Sequence, residues 1–175
     1  ENYTGHFAGG KAVKIKNPLS KEMTFIRNSI LPGLLIAASY NEKRQEKGFK
    51  LFEIGAIHSH SKKSHTKTKE KIHMGLLWYG KPNIHWRTYE DRDIFRCKGE
   101  ISKIMNTMGL MNIHYKIGRT HGFETALKIY SEKTQLGIMG IIDLNLLNVY
   151  DLNQAPVVCD ISMDTLREIC VSSKF

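Results

Sequence analysis

Apolar side chains recur with helical spacing between residues 31 and 44. Four of them fall at i, i+3, i+4 and i+7 and therefore share one helix face: Leu31, Leu34, Leu35 and Ala38. Pro32 suits this segment because a proline in the first helical turn loses no hydrogen bond. Polar residues return after Tyr40, and Gly48 is typical of the end of a helix. The pattern predicts a central helix that begins near Leu31.

A second apolar row runs beside the first on this predicted helix. It consists of Ile30, Gly33, Leu34 and Ala37. A helix that is apolar on two sides needs two partners. Small residues such as Gly33 and Ala37 let another helix approach closely. We therefore expect one row to pack on the protein's own sheet, through Phe52 and Ile54, and the other to meet a partner.

Two apolar stretches after the helix predict a β-hairpin. Residues 50–57 are short, bounded and contain an aromatic residue, which is typical of a strand mostly buried on both faces. Residues 72–79 fit an antiparallel return strand. Residues 58–71 lie between them and contain no apolar residue, so we expect a solvated loop whose removal changes stability little.

The rest of the pattern predicts more helices and strands. Helical spacing of apolar residues indicates a helix over 94–108 that Gly109 ends, with the acidic residues 90–93 as its cap. A closing helix is expected over 164–171. Further strands are expected over 112–116, 126–131, 136–142 and 157–161. This succession favours an α+β fold.

Length and composition favour one domain. The chain has 175 residues, of which 41% are hydrophobic and 25% charged, as in ordinary globular proteins. We divide it into a lead-in with a first strand over 1–16 and a single domain over 17–175. Because the chain begins with Glu1 rather than Met, we expect a piece of a longer protein. No run reaches the roughly 18 apolar residues of a membrane span. Three cysteines without a Cys-x-x-Cys pair favour the cytoplasm.

The net charge of +9 comes from 26 basic and 17 acidic residues. Such an excess attracts polyanions, tRNA among them. An autonomous basic nucleic-acid-binding module is therefore one alternative function. Proteins that bind single strands interleave exposed aromatic residues with basic ones, and residues 58–71 contain no Phe, Tyr or Trp. This composition disfavours the alternative.

A histidine-rich segment raises a third hypothesis, a metal-dependent hydrolase. Its histidines are His58, His60, His65 and His73. Two histidines in a His-x-His pattern on a strand point to one side and could share a metal ion. Five lysines crowd the same segment, however, and would repel a divalent cation. We therefore predict no metal site.

Residues 17–57 carry a string that is similar to one known family. They read Asn-Pro-Leu-Ser at 17–20, Ile-Arg at 26–27, Ile-Leu-Pro-Gly-Leu-Leu at 30–35 and Leu-Phe-Glu-Ile-Gly at 51–55. Asn41 and Arg44 also match. The string resembles the motif 1 segment of bacterial phenylalanyl-tRNA synthetase beta subunits, which have a class II synthetase core. Residues 93–99 resemble a second segment of the same family.

The resemblance implies a class II aminoacyl-tRNA synthetase-like antiparallel β-sheet flanked by helices. In this family the beta subunit holds a catalytic-like module without activity, and the alpha subunit performs the chemistry. The motif 1 helix would pack between subunits of an (alpha-beta)2 tetramer that charges tRNA(Phe) with phenylalanine. ATP and magnesium are expected for the parent complex, and no cofactor for this chain. The residues predicted at the subunit interface are Leu31, Gly33, Leu34, Leu35, Ala37, Ala38 and Asn41.

The ATP-binding motifs of class II synthetases are incomplete in this sequence. Arg96 is similar to the phosphate-binding Arg of motif 2, but Lys98 stands where an acidic residue is expected. Residues 137–140 are similar to the Gly-rich motif 3, but no Glu-Arg follows them. We therefore predict no catalytic residue in this chain. Residues 116–145 also depart from the family pattern.

Arg27 and Glu53 allow two interpretations. They could form a functional pair, or an ion pair that braces the helix against the strand. We favour the ion pair, because buried charges in proteins are normally paired.

Overall fold

The structure is a computed structural model that describes residues 5–7, 10–20, 24–62, 64–80 and 94–172. Its strands are β1 (Val13–Lys14), β2 (Phe25–Ile26), β3 (Gly48–His60), β4 (Thr68–Gly80), β5 (Ile113–Ile117), β6 (Phe123–Ser131), β7 (Thr134–Ile142) and β8 (Val157–Ser162). Its helices are α1 (Leu31–Lys43), α2 (Ile94–Thr107), α3 (Leu144–Tyr150) and α4 (Met163–Ser172). The acidic cap predicted at 90–93 lies outside the described residues.

The main sheet has six strands in the order β3-β4-β8-β7-β6-β5. Every neighbouring pair in it is antiparallel. β1 and β2 pair separately as a small antiparallel ribbon. The α+β fold class, an antiparallel sheet flanked by helices, is therefore confirmed.

The sheet separates two hydrophobic layers. On one face α1 and α3 pack against side chains such as Leu77 and Val158. On the other face α2 and α4 cover a layer that includes Trp78 and Met139. Alternate residues of each strand serve opposite layers, because side chains along a strand point alternately to its two sides.

A close approach between α1 and the sheet occurs at Gly75 of β4. A Cβ atom on Gly75 would lie 2.7 Å from both Ile30 Cγ2 and Leu34 Cδ1. These two side chains are buried, with at most 3% of their surface exposed. The missing side chain of Gly75 therefore lets α1 pack directly on the sheet.

The central helix begins where the spacing predicts, but ends earlier. Leu31 opens α1 and Pro32 lies in its first turn, as expected. The helix ends at Lys43, and Gln45 takes the left-handed conformation with a φ of 66°. Gly48 is already the first residue of β3, so its prediction as the helix end is wrong.

Strand β3 differs from its prediction, because it is an edge strand rather than a strand buried on both faces. Phe52 is 73% exposed and Ile54 is 56% exposed. They also face away from α1. Lys50, which shares their side of the strand, reaches Glu100 of α2, whereas Glu53 on the other side lies beside Gly33 of α1. The prediction that α1 packs on Phe52 and Ile54 is therefore wrong.

The solvated loop predicted at 58–71 is wrong at both ends. β3 continues to His60, β4 starts at Thr68, and the two strands stay paired as far as this end, where His60 faces Thr68. Only residues 61–67 connect them. A strand can be stabilised by backbone hydrogen bonds to its neighbour even where its side chains bury no apolar surface, which explains the extension.

Helix α3 was not predicted, because seven residues give too short an apolar pattern. Its ends nevertheless carry recognisable signals. The Asp143 carboxylate accepts a hydrogen bond from the Asn145 backbone N–H at 2.9 Å and caps the first turn. Asp151 ends the helix in the left-handed conformation, with a φ of 53°.

Glu100 ties β3 and β4 to α2. Lys50 Nζ donates to both carboxylate oxygens at 2.7 Å, and Trp78 Nε1 donates to one of them at 2.9 Å. Burial alone would raise the pKa of Glu100, but the hydrogen bonds from Lys50 and Trp78 outweigh it and hold the pKa below its ordinary value. The ionised form of Glu100 therefore stabilises the fold.

We predict that Gly75→Ala lowers the free energy of unfolding by about 1–3 kcal/mol, because the new methyl group pushes on Ile30 and Leu34. Gly99→Ala is the matched control. Gly99 lies within α2, where an added Cβ meets nothing within 4 Å. Alanine there should stabilise the helix by about 0.5–1 kcal/mol. Urea denaturation measures both, and equal effects of the two substitutions would contradict the close approach of α1.

We predict that Glu100→Gln lowers the free energy of unfolding at pH 7 by about 1 kcal/mol, since the side chain is one-third exposed. Because the pKa of Glu100 is lower in the folded state, its contribution is present above the ordinary pKa of 4.5 and is lost as the pH falls through the folded value. The difference between the two proteins should therefore shrink below about pH 4.5.

Chemical denaturation between pH 3 and pH 7 tests this prediction. Glu168→Gln, which changes an exposed carboxylate of α4, is the control and should change stability little at any pH. A constant difference between the Glu100→Gln variant and the unchanged protein over the whole range would refute the role of the ionised carboxylate.

Candidate subunit interface

The inner row of α1 belongs to this chain's own core. Each of its four residues has at most 3% of its surface exposed: Leu31, Leu34, Leu35 and Ala38. They contact the layer that also contains Leu77 and Val158. These four residues of the predicted interface therefore hold the helix on the sheet, and the contact of α1 with a partner stays a prediction.

The opposite side of α1 faces away from the sheet. Its residues are spaced by three and four positions and form one row, which we call the outward stripe: Gly33, Ile36, Ala37 and Tyr40. Ile36 is 47% exposed and Tyr40 is 54% exposed, while Ala37 is half-buried. Sequence reasoning named Gly33 and Ala37 but missed Ile36 and Tyr40. Helical spacing from Gly33 and Ala37 could have found both.

Two polar side chains fix the C-terminal end of this stripe. Asn41 Nδ2 donates to the Ala37 carbonyl oxygen one turn earlier at 2.7 Å. The guanidinium carbon of Arg44 lies 3.7 Å from the centre of the Tyr40 ring, which is a cation–π contact. The amide of Asn41 is thus engaged within its own helix, and Tyr40 is held in place on the surface.

Arg27 and Glu53 lie beside the N-terminal end of the stripe and form an ion pair. Arg27 Nη1 and Glu53 Oε1 are 2.5 Å apart, and Arg27 Nε also donates to the Ala56 carbonyl oxygen at 2.8 Å. The pair is more open than expected for buried charges, since 43% of the Arg27 side chain and 35% of the Glu53 side chain are exposed. A side chain at Gly55 would overlap Arg27, so this glycine makes room for the pair.

The exposed side chains of Phe52 and Ile54 extend the apolar surface around the same edge of the sheet. They lie on the face opposite α1, on the edge strand β3. Apolar side chains are therefore exposed on both faces of the sheet near this edge. An edge strand and a helix that both expose apolar residues are typical of a surface covered by another protein.

The residues that resemble ATP-binding motifs lie on a helix surface and within the sheet. Arg96 lies on an exposed side of α2. A Cβ atom on Gly137 would lie 2.2 Å from the Asp160 carbonyl oxygen, and one on Gly140 would lie 2.2 Å from the Thr125 carbonyl oxygen. These glycines of β7 are therefore needed for close packing between strands.

Two histidines of the hairpin, His58 and His73, each pair with a single carboxylate. His58 Nε2 lies 2.9 Å from Glu70 Oε2, and His73 Nδ1 lies 2.5 Å from Asp160 Oδ1. Across the described ranges, no group of three or more His, Cys, Asp and Glu side chains is placed to hold a metal ion. Over the same part of the chain, no helix is both long and apolar enough to cross a membrane.

The segment that departs from the family pattern surrounds an open cavity. Residues 117–126, at the connection between β5 and β6, line most of a space of about 790 Å³. Arg119, His121 and Glu124 are among its polar residues, and Ile117 is 86% exposed beside them. This cavity lies at the opposite edge of the sheet from β3.

Comparison with solved structures supports the fold. Two structures of pyrrolysyl-tRNA synthetase from Desulfitobacterium hafniense superpose on the chain with a TM-score of 0.71 and 12% identity. The match covers 91% of this chain and 53% and 52% of those chains. At this identity the similarity shows the fold, which is that of a class II-like synthetase core.

Sequence comparison gives the family. The chain is 29% identical to the phenylalanine–tRNA ligase beta subunit of Carboxydothermus hydrogenoformans, 28% identical to that of Thermotoga maritima and 27% identical to that of Buchnera aphidicola. These matches cover 94%, 89% and 93% of this chain but only 21%, 20% and 21% of the relatives. The chain thus spans about a fifth of their length. The family model of the phenylalanyl tRNA synthetase beta chain CLM domain matches residues 3–163, so the chain belongs to this family.

Proposed function

We propose that this chain is the non-catalytic synthetase-like core of a phenylalanine–tRNA ligase beta subunit, and that it scaffolds the alpha subunit in an (alpha-beta)2 tetramer in the cytoplasm. The observation that carries the proposal is the outward stripe of α1. It lies on the helix whose sequence resembles the family's motif 1, and it leaves about half of Ile36 and of Tyr40 exposed.

Covering the exposed apolar side chains of the stripe would stabilise the assembly. Full burial of a large apolar side chain contributes about 1.5–3 kcal/mol, and Ile36 and Tyr40 are about half exposed, so each offers part of that amount. Gly33 and Ala37 lie between the large residues and leave room for a helix of the partner to approach closely. A surface of a few large and a few small residues is therefore suited to helix–helix packing.

The packing of α1 on the sheet supports the scaffold role. The inner row anchors the helix on the sheet at Gly75, and the Arg27–Glu53 pair lies beside its first turn. A partner helix would consequently meet a surface that is already formed. Preorganisation of this kind increases affinity, because little conformational entropy is lost on binding.

In this proposal the chemistry belongs to the alpha subunit. ATP, magnesium and phenylalanine would bind there, and tRNA(Phe) would bind the assembled complex. The incomplete ATP-binding motifs of this chain support the assignment. Arg96 lies on a helix, and Gly137 and Gly140 are occupied with strand packing.

We predict that Ala37→Arg abolishes co-purification of the beta chain with the alpha subunit, because it places a long charged side chain in the middle of the outward stripe. Ala37 is half-buried, so the melting temperature of the beta chain should change little. Val171→Arg is the matched control. Val171 is 56% exposed on α4, on the other side of the sheet, and its substitution should leave assembly intact.

Two outcomes would contradict the assignment of the stripe. If the Ala37→Arg chain is folded and still co-purifies with the alpha subunit, α1 is not the interface. If it unfolds, Ala37 supports the core instead, and Ile36→Asp then tests the stripe at a more exposed position. A folded Ile36→Asp variant that assembles normally would also refute the proposal.

We predict that the beta chain alone does not catalyse phenylalanine-dependent pyrophosphate exchange, whereas its complex with the alpha subunit does. Arg96→Ala in the beta chain should leave the exchange rate of the complex unchanged, because the Arg is not expected to contact ATP. Exchange by the beta chain above background that Arg96→Ala removes would show that this module is catalytic.

A further inference from the structure

The far end of the β3–β4 hairpin is a strongly basic projection with paired strands. We call residues 58–62 and 64–71 the basic arm. Its strands pair as far as His60 and Thr68, and its connection is closed by a hydrogen bond from the Ser61 N–H to the Lys67 carbonyl oxygen at 2.8 Å. Lys67 takes the left-handed conformation at this turn, with a φ of 56°. The arm therefore has a defined shape that can present its side chains to a partner.

A second basic segment is fixed beside the arm. The His60 N–H donates to the Lys11 carbonyl oxygen at 2.9 Å, and Asn28 Nδ2 donates to the Gly10 carbonyl oxygen at 2.9 Å. These bonds hold Gly10 and Lys11 beside the outer side of β3, and β1, which follows them, also contacts β3. Lys11, Lys14 and Lys16 are all exposed there.

The charge of this region is almost entirely positive. Residues 58–71 contain five lysines, three histidines and one acidic residue, and residues 11–16 contain three lysines and no acidic residue. The single acidic residue, Glu70, is already paired with His58 at 2.9 Å. The nearby carboxylate of Asp164 accepts the Ile72 backbone N–H at 3.0 Å. These two segments therefore contain eight lysines and a single carboxylate, which is already paired with a histidine.

The side-chain composition of the arm indicates which class of polyanion it fits. Residues 58–71 contain no apolar residue, so they cannot insert into a lipid bilayer in the way that membrane-binding segments do. They contain no Phe, Tyr or Trp on which unpaired bases could stack. Lys69 and Lys71 are two positions apart on one strand and therefore share a face, about 7 Å from each other. Closely spaced cations without stacking groups suit a phosphate backbone.

We propose that the basic arm, together with residues 11–16, binds the phosphate backbone of helical RNA without sequence preference. The choice of RNA rests on the proposed function in tRNA charging. The contact itself does not use the outward stripe of α1, so it constitutes a second interaction surface. Its energy would come from the release of counterions and would fall steeply as salt is added.

The test uses the whole beta chain in complex with its alpha subunit, and fluorescently labelled RNA duplexes of two unrelated sequences. One variant combines Lys67→Gln, Lys69→Gln and Lys71→Gln. The control combines Lys47→Gln, Lys103→Gln and Lys133→Gln, which remove the same charge from exposed positions elsewhere. Fluorescence anisotropy over a series of salt concentrations gives the slope of log K against log salt for each protein.

We expect the arm variant to bind both duplexes more weakly and to lower the magnitude of the salt slope by about 3, roughly one for each lost phosphate contact. The control variant should keep the slope of the unchanged protein. Equal slopes for the two variants would overturn the proposal. So would an arm variant that loses binding to anionic phospholipid vesicles while its RNA binding is unchanged.

Two further measurements separate a loss of RNA binding from a loss of assembly or of stability. Co-purification with the alpha subunit reports on the scaffold function separately, and it should be normal in the arm variant. If the arm variant melts at a lower temperature, a second variant with Lys11→Gln, Lys14→Gln and Lys16→Gln tests the same surface from outside the hairpin. An unchanged salt slope in that variant would overturn the proposal.

Discussion

The direct packing of α1 on the sheet at Gly75 is the constraint on which the rest of the structure depends. Ile30 and Leu34 occupy the space that a side chain at position 75 would fill. This close approach fixes the rotation of α1 about its own axis, because a different rotation would bring other residues against β4. The outward direction of Ile36 and Tyr40 then follows from helical spacing alone. The same orientation brings Gly33 beside Glu53, next to the Arg27 ion pair. Together with the buried row Leu31, Leu35 and Ala38, this glycine thus determines which side of the helix a partner can reach.

The sequence predicted where most helices and strands lie, but not the place of β3 in the sheet, for a physical reason. Helical spacing within α1 reports directly which side chains share a face, so Leu31, Leu34, Leu35 and Ala38 were grouped correctly, although the pattern did not show that this row faces the core. The neighbours of a strand are set by residues far away in the sequence. Residues 50–57 are apolar enough for a central strand, yet β3 lies at the edge, and Phe52 and Ile54 are exposed. Periodicity could not show this, because an apolar edge strand and a buried strand have the same pattern.

The hairpin is longer than the apolar pattern predicts. A sequence pattern indicates which segments can be buried, but it does not indicate how far two backbones stay paired. Residues 58–60 and 68–71 bury little apolar surface, but each continues a strand that the core has already aligned. Extending an aligned pair needs only the next hydrogen bonds, and the outer side of His60 is bound to Lys11 as well. A segment that composition assigns to a solvated loop therefore becomes a shaped and strongly charged arm.

The edge position of β3 also connects the two proposed surfaces. An exposed edge strand with apolar side chains is a liability in an isolated protein, because it can pair with other chains. Near its far end this edge is covered. The backbone N–H groups of His58 and His60 donate there to the backbone carbonyl oxygens of Arg27 and Lys11. Nearer to α1, the same strand carries Phe52 and Ile54, which are exposed. The covered far end lies beside the lysines of the basic arm and of residues 11–16, and the open half bears the exposed Phe52 and Ile54. A protein partner and a polyanion would therefore meet different parts of this edge and need not compete.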